Sequence, residues 1–179
     1  IALLALVPLR RRNLTALALG STLTEIGNRF IISFAEGETK TGSPLELLLP
    51  EALIEPLRLY LEKWRPLLCA RTGRWTSPAG DALWISKDGS PMTQIAIYDR
   101  VRARTQTAFG TAVNPHAFRH AAATTQAIAD PANVRIAAPL LGHRTFNTTE
   151  RYYQQAEGYI AQRTFLDAIE NLKMSGHNA

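Results

Sequence analysis

Residues 114–124 read NPHAFRHAAAT, and this stretch decides the fold. His116 and Arg119 follow Pro115 at spacing i and i+3, so in a helix both project from one face. Such a pair alone is a weak indication of function, because His-x-x-Arg pairs usually lie on an ordinary helix surface. The last third of the chain is predicted to be helical, with breaks near Pro115, Pro131, Gly142 and Gly158.

A second histidine follows in LLGH, residues 140–143, where Gly142 has the position that ends a helix. Tyr152 comes nine residues after His143, across a short loop and in the next predicted helix. That helix has candidate capping residues in Asn147, Thr148 and Thr149.

Residues 29–50 predict a β-hairpin. RFIISF, residues 29–34, is rich in aromatic and β-branched residues and is typical of a strand. GETKTGSP, residues 37–44, supplies turn residues, and LELLLP, residues 45–50, is the predicted returning strand. Lys40 then lies at or near the tip of the hairpin.

Helices are predicted on both sides of this hairpin. Residues 1–17 have helical spacing broken by Pro8. Apolar residues recur at helical spacing over 50–68, and Thr93 caps a helix predicted to end at about Phe109. The other segments are a loop over 71–81, a short strand over 82–86 and a turn over 87–91. The fold class is therefore α+β, mainly α-helical with a small antiparallel β-sheet, in one domain.

The composition is that of a globular protein. The chain has 179 residues, of which 46% are hydrophobic and 20% charged, and these fractions exclude a disordered chain. Cys69 is its one cysteine, so an intramolecular disulfide and a cysteine-rich metal scaffold are both excluded. A reducing, cytoplasmic setting fits a single thiol. No segment has the length of a membrane span, and the opening apolar run lacks the order of a signal peptide.

The positive charge is concentrated in two blocks. The net charge is +5, but residues 1–20 alone carry +3 and residues 100–151 carry +5. Concentrated basic blocks indicate an anionic partner, of which nucleic acid is the commonest, while a solvated basic face is an equally open alternative. The chain begins with Ile1, so we expect a fragment from which an N-terminal segment is missing.

Five motifs together resemble a known family. NPHAFRHAAAT, LLGH and TTERYY are similar to the C-terminal signature of the tyrosine recombinases, also called the phage integrase family. PLRRRNLTAL, residues 8–17, resembles the first arginine box of that family, and TKTGSPLELLLP, residues 39–50, resembles its β-hairpin. The resemblance implies one catalytic domain over residues 1–179, with the family's N-terminal DNA-binding domain absent from this chain.

The resemblance also implies a set of catalytic residues and a reaction. Two of the residues are arginines that neutralise a DNA phosphate, one is a hairpin lysine that acts as general acid, two are histidines and one is the tyrosine nucleophile. In chain order they are Arg10, Lys40, His116, Arg119, His143 and Tyr152. The product is a 3′-phosphotyrosyl link, and no metal or other cofactor is implied, because two arginines can carry the phosphate charge.

Three residues depart from the family pattern. Pro8 stands where glycine is usual, and Asn13 stands where an acid is common. Both bear on the geometry around Arg10, so that either of its neighbours Arg11 and Arg12 is an alternative phosphate ligand. Glu46 replaces a frequent basic residue in the hairpin, which bears on DNA affinity.

The partners follow from the same resemblance. We expect double-stranded DNA, a homo-tetramer assembled on it, association with the nucleoid through DNA, and no membrane. An apolar stripe in the last helix packs either on the chain's own core or on a neighbouring protomer. Its residues are Ala161, Phe165, Ala168, Ile169 and Leu172. The alternative function is a catalytically degenerate DNA-binding accessory or regulatory module, and a helix-turn-helix regulator is a distant third.

Several other residues have a structural interpretation. His120 is expected to be a structural hydrogen-bonding residue. Arg100, Arg102 and Arg104 either contact DNA phosphates or form a solvated helix face. The aromatic residues expected to serve packing or anchoring are Tyr60, Tyr98, Tyr153, Tyr159, Trp64, Trp75 and Trp84.

Overall fold

The computed structural model describes most of the first 130 residues and a few residues of the last helix. The described residues are 1–40, 42–71, 78–130, 158, 161–162 and 164–166. Contacts divide the chain into two compact units, Ile1–Arg119 and His120–Ala179. The fold is α+β with a small antiparallel sheet among its helices, as the sequence predicts.

The first unit begins with two short helices, α1 over Ala2–Leu6 and α2 over Arg11–Thr15. The predicted break at Pro8 is confirmed, since the chain is non-helical from there to Arg10. Arg10 has extended backbone angles, φ −65° and ψ 146°, and is the N-cap of α2. The break therefore turns the basic triplet into the start of a new helix.

Three strands follow, β1 over Leu23–Ile26, β2 over Arg29–Phe34 and β3 over Leu45–Leu48. They form one antiparallel sheet in the order β1-β2-β3. The predicted hairpin is confirmed, with Phe34 paired to Leu45 next to the connection between the two strands. The sequence analysis did not predict strand β1.

Alternation along β2 gives the sheet its buried face. Phe30, Ile32 and Phe34 are buried, whereas the residues between them are more exposed. These three side chains join the hydrophobic core of the first unit. Its other members are Leu4, Val7, Leu9, Leu14, Leu17, Leu23, Leu49, Leu53, Ile54, Leu83, Ile97 and Val101.

The predicted helix over 50–68 is confirmed but is not uniform. A 3₁₀ turn leads into α3 over Ile54–Leu59, a π-helical turn covers Tyr60–Trp64, and α4 covers Arg65–Cys69. In the π turn the Arg65 N–H bonds to the Tyr60 carbonyl, five residues back. Pro66 explains the wider turn, because proline has no N–H to donate and its ring crowds the carbonyl four residues back.

The strand predicted over 82–86 is wrong. Only single bridges form there, Ala18 with Ala82 and Ile85 with Pro91. The ladder does not extend because the Ile85 N–H donates to the Tyr60 hydroxyl at 3.2 Å. The same hydroxyl donates to the Leu83 carbonyl at 2.8 Å, so Tyr60 takes the place of a strand partner.

Two long helices complete the described fold, α5 over Gln94–Phe109 and α6 over Pro115–Ala129. Thr93 caps α5 as predicted, since its hydroxyl accepts a hydrogen bond from the Ala96 N–H at 3.1 Å. The division between the two units falls within α6. Gly158 is itself helical, so the break predicted near it does not lie at that residue.

Candidate functional site

The three arginines at the start of α2 differ in their exposure to solvent. Arg10 is half-buried, whereas Arg11 and Arg12 are exposed. Burial lowers the pKa of the Arg10 guanidinium, because removing water from the cation disfavours its charged form. An anion placed beside Arg10 would restore part of the lost solvation energy, and this distinguishes Arg10 from its two neighbours.

Arg119 lies one turn into α6 and is 5% exposed. One guanidinium nitrogen, Nη1, donates a hydrogen bond to the carbonyl oxygen of Pro8. Pro8 lies two residues before Arg10, so this bond joins α6 to the segment that carries the first arginine. The Pro8 backbone oxygen serves as the anchor, which makes the departure from glycine at this position compatible with the contact.

The start of α6 is held by a side-chain cap. The Asn114 carbonyl oxygen Oδ1 accepts hydrogen bonds from the backbone N–H groups of His116, at 2.7 Å, and Ala117, at 3.3 Å. His116 is exposed while Arg119 is buried. The predicted pair therefore lies on one helix as expected, but its two side chains have different environments.

A cavity of about 310 Å³ opens beside His116. It is lined by the basic side chains of Arg11 and His116, by Tyr98 of α5, and by Asn114 and Pro115. The Arg11 guanidinium carbon lies 5.5 Å from the centroid of the Tyr98 ring. This cation–π contact connects α2 to α5, so Tyr98 holds the Arg11 guanidinium at the wall of the cavity.

Lys40 is exposed in the connection between β2 and β3, residues 35–44. Thr39 precedes it and is buried, and the turn closes with a hydrogen bond from the Gly42 N–H to the Thr39 carbonyl at 3.3 Å. Asn13 of α2 is also buried, and its Nδ2 donates to the Glu38 carbonyl at 3.5 Å. The hairpin connection is therefore tied to the helix that begins just after Arg10.

The structure does not describe all of the remaining candidate residues. His143, Tyr152 and Tyr153 lie outside the described residues, as do Trp75 and Tyr159. Of the six predicted site residues, the structure thus connects the segments of Arg10, Lys40 and the His116–Arg119 pair. Glu46 is exposed on β3, and the cations of α5 are exposed as well: Arg100, Arg102 and Arg104.

Two further observations concern the described part of the chain. Within it, no group of three or more His, Cys, Asp or Glu side chains lies close enough to hold a metal ion. None of its helices combines the length and apolar character that crossing a membrane requires.

Sequence reasoning singled out Asn13 but missed how it and two threonines support the site. Thr39, Asn13 and Thr105 are buried side chains that hydrogen-bond to backbone groups of the candidate segments. Their residue types carry no pattern that distinguishes them from surface residues. The cap formed by Asn114 could have been predicted from the sequence, because Asn followed by Pro is a common start for a helix.

Comparison with known proteins places the chain in a family. The profile of the phage integrase family matches residues 1–158. Tyrosine recombinase XerC of Pseudomonas fluorescens is 34% identical over 95 residues, which is 53% of this chain and 30% of that protein. Tyrosine recombinase XerD of Staphylococcus aureus (strain Mu50) is 27% identical over 132 residues, 73% of this chain and 41% of that protein.

Solved structures share the fold. The XerA recombinase matches with a TM-score of 0.66 at 21% identity, covering 90% of this chain and 55% of the other. The XerH site-specific recombinase bound to a palindromic difH substrate, in a post-cleavage complex, matches with a TM-score of 0.65 at 20% identity, covering 90% of this chain and 43% of the other.

The chain spans less than half the length of these two curated relatives. The match nevertheless covers most of the chain and includes the two arginine segments, the hairpin and the tyrosine motif. The chain therefore belongs to the phage integrase family, the tyrosine recombinases.

Proposed function

We propose that this chain is the catalytic domain of a site-specific DNA recombinase, which cleaves and rejoins double-stranded DNA through a 3′-phosphotyrosyl intermediate. The observation that carries the proposal is the hydrogen bond from buried Arg119 to the Pro8 carbonyl. This bond joins α6, which carries Arg119, to the segment just before Arg10, although the two are far apart in the sequence. Membership of the family supports the reaction class.

The two arginines stabilise the charge that develops on the phosphate. Attack on a phosphodiester increases negative charge on the nonbridging oxygens, and catalysis depends mainly on positioning and electrostatic stabilisation. A guanidinium grips two oxygens with permanent charge, which an ammonium does not do. Partial burial of Arg10 strengthens this interaction, because a cation already short of water gains more from an anion.

Tyr152 is the proposed nucleophile. Its oxygen forms a bond to phosphorus while the bond from phosphorus to the 5′ oxygen breaks, leaving the 3′ phosphate on the tyrosine. A phenol with a pKa of about 10 needs a base, and His116 accepts the proton in this proposal. His143 donates a hydrogen bond to the same phosphate.

Lys40 is the proposed general acid. The 5′ oxygen leaves as an alkoxide unless it receives a proton, and the exposed ammonium supplies it. Rejoining is the reverse: the 5′ hydroxyl returns its proton to Lys40 and its oxygen bonds to phosphorus, while the bond from phosphorus to the Tyr152 oxygen breaks and that oxygen recovers its proton from His116. The bond energy is kept throughout, so rejoining needs no ATP, and no metal is proposed because the two arginines carry the phosphate charge.

DNA and further copies of the chain are the proposed partners. Exposed arginines of α2 and α5, among them Arg11 and Arg102, would contact the DNA backbone. A homo-tetramer on DNA would use the C-terminal helix as a docking element. Phe165 is 64% exposed, as an apolar side chain at such an interface would be in the isolated chain.

The test is a search for the covalent adduct. A duplex selected from a random-sequence pool by binding to the full chain would be nicked near its centre, and adducts would be counted on denaturing gels. We expect adducts from the wild type in excess chelator and none from Tyr152→Phe, because that change removes the attacking oxygen alone. Tyr153→Phe is the matched control and should retain the adduct, since adjacent residues of a helix point about 100° apart.

Three outcomes would each contradict a part of the proposal. Peptide mapping that finds the DNA on Tyr153 would overturn the assignment of the nucleophile. Specific DNA binding by the wild type without any adduct would instead favour the degenerate accessory module. Loss of all adduct in chelator, restored by magnesium, would overturn the metal-free mechanism.

A further inference from the structure

The turn that carries Lys40 contains a buried hydroxyl. Thr39 is 8% exposed although it sits in the connection between two strands, next to an exposed lysine. Its Oγ1 donates a hydrogen bond to the Ser43 carbonyl at 2.7 Å and accepts one from the Ser43 N–H at 3.2 Å. The single hydroxyl thus satisfies both backbone groups of one residue across the turn.

These hydrogen bonds close the turn that contains Lys40. The Gly42 N–H also bonds to the Thr39 carbonyl at 3.3 Å, and Gly42 has φ +65°, a conformation that favours glycine. On the other side of Thr39, the carbonyl of Glu38 accepts the bond from buried Asn13 of α2. The Lys40 backbone is therefore held between a closed turn and an attachment to the arginine helix.

We propose that Thr39 is the positioning residue for Lys40: its hydroxyl sets the turn that aims the ammonium at the departing 5′ oxygen. The inference rests on the proposed function, because it assigns Thr39 a role in the proton-transfer step of that reaction. In this proposal Thr39, which is buried, acts through Lys40 and not by contact with the phosphate or the leaving group. Its loss should weaken proton donation without affecting attack on phosphorus.

A change of leaving group isolates this step. In DNA with a bridging sulfur at the scissile 5′ position, the leaving group is a thiolate, and a thiol ionises with a pKa of about 8.5, so it departs without a proton. Variants deficient only in proton donation should therefore recover on this substrate. The cleavage position would first be mapped from the wild-type adduct.

The variants are chosen to separate the hydroxyl from its surroundings. Thr39→Val keeps the shape but removes all hydrogen bonds of the hydroxyl, including a weaker one to the Glu36 carbonyl at 3.4 Å. It should slow adduct formation on ordinary DNA by about tenfold to a hundredfold. On the sulfur substrate its rate should lie within about threefold of wild type, as should that of Lys40→Ala. Thr39→Ser restores the hydroxyl and should recover most of the rate on ordinary DNA. Ser43→Ala keeps the backbone groups that Thr39 binds and should react at the wild-type rate.

Each contrary result has a distinct meaning. A Thr39→Val variant that is slow on both substrates, or normal on both, would overturn the positioning role while leaving Lys40 as the acid. A Lys40→Ala variant that the sulfur substrate does not rescue would overturn the general acid, and this inference with it. A wild type that forms no adduct on either substrate would overturn the proposed function.

Discussion

Two regions carry the described basic candidates, and they are held in different ways. At the start of α6, residues 114–119, the Asn114 cap is local, but the Arg119 side chain is held by a contact with Pro8, 111 residues away in sequence. The hairpin connection, residues 35–44, depends mostly on bonds between residues three or four apart, such as those of Thr39. Arg119 is thus held by a long-range contact, whereas Lys40 lies in a turn closed by local hydrogen bonds.

The difference follows from the chemistry each region performs in the proposed reaction. A phosphate ligand acts through fixed geometry and is needed throughout cleavage, so long-range anchoring suits it. A proton donor acts only as the leaving group departs. Changes near α6 should therefore affect both stability and rate, while changes at Lys40 should leave stability intact.

The largest effect is expected for Arg119→Lys. The ammonium keeps the charge but cannot bond the Pro8 carbonyl and grip two phosphate oxygens together, so the rate of adduct formation should fall roughly a hundredfold or more. DNA binding, measured by gel shift, should change little, because other contacts hold the backbone. Arg104→Lys, at an exposed position of α5, keeps the charge and is the control that should react normally. Near-normal cleavage by Arg119→Lys would show that Arg119 of α6 is not the phosphate ligand.

A smaller effect is expected for Thr105→Val. Thr105 is fully buried, and its hydroxyl accepts the Val113 N–H at 2.8 Å, which ties α5 to the loop leading into α6. The isosteric change leaves that amide without its acceptor, so the free energy of unfolding should fall by about 2 kcal/mol in urea titrations.

The control for this change is Thr107→Val. Thr107 is exposed and its hydroxyl donates only to the Ala103 carbonyl of the same helix, so the change should stay within about 0.5 kcal/mol. Equal losses in the two variants would mean that the loop before α6 is not anchored through Thr105.

The smallest effect is expected for the stability of Lys40→Ala. The side chain is exposed, and the turn around it is closed by Thr39, Gly42 and Ser43 rather than by the lysine. The free energy of unfolding should change by less than about 0.5 kcal/mol. A loss above about 1 kcal/mol would show that Lys40 stabilises the hairpin, and the contrast between the two regions would fail.

Local patterns predicted much of the fold. The hairpin, the break at Pro8 and the Thr93 cap all depend on neighbouring residues and were confirmed. Strand β1 was missed although Gly27–Asn28 is a turn signal, with Gly27 at φ +61°. The strand predicted over 82–86 was wrong because the Ile85 N–H bonds to the side-chain hydroxyl of Tyr60, which is distant in sequence, and not to a neighbouring strand.

The sequence by itself determined the family and the identity of the candidate residues, because motif order and spacing are properties of the chain alone. Tertiary structure decided their environments: which arginine of the triplet is half-buried, that Arg119 is anchored on Pro8, and that Thr39 closes the turn of Lys40. The physical reason is that burial and hydrogen bonding depend on which distant segments meet. Spacing along one chain does not contain that information.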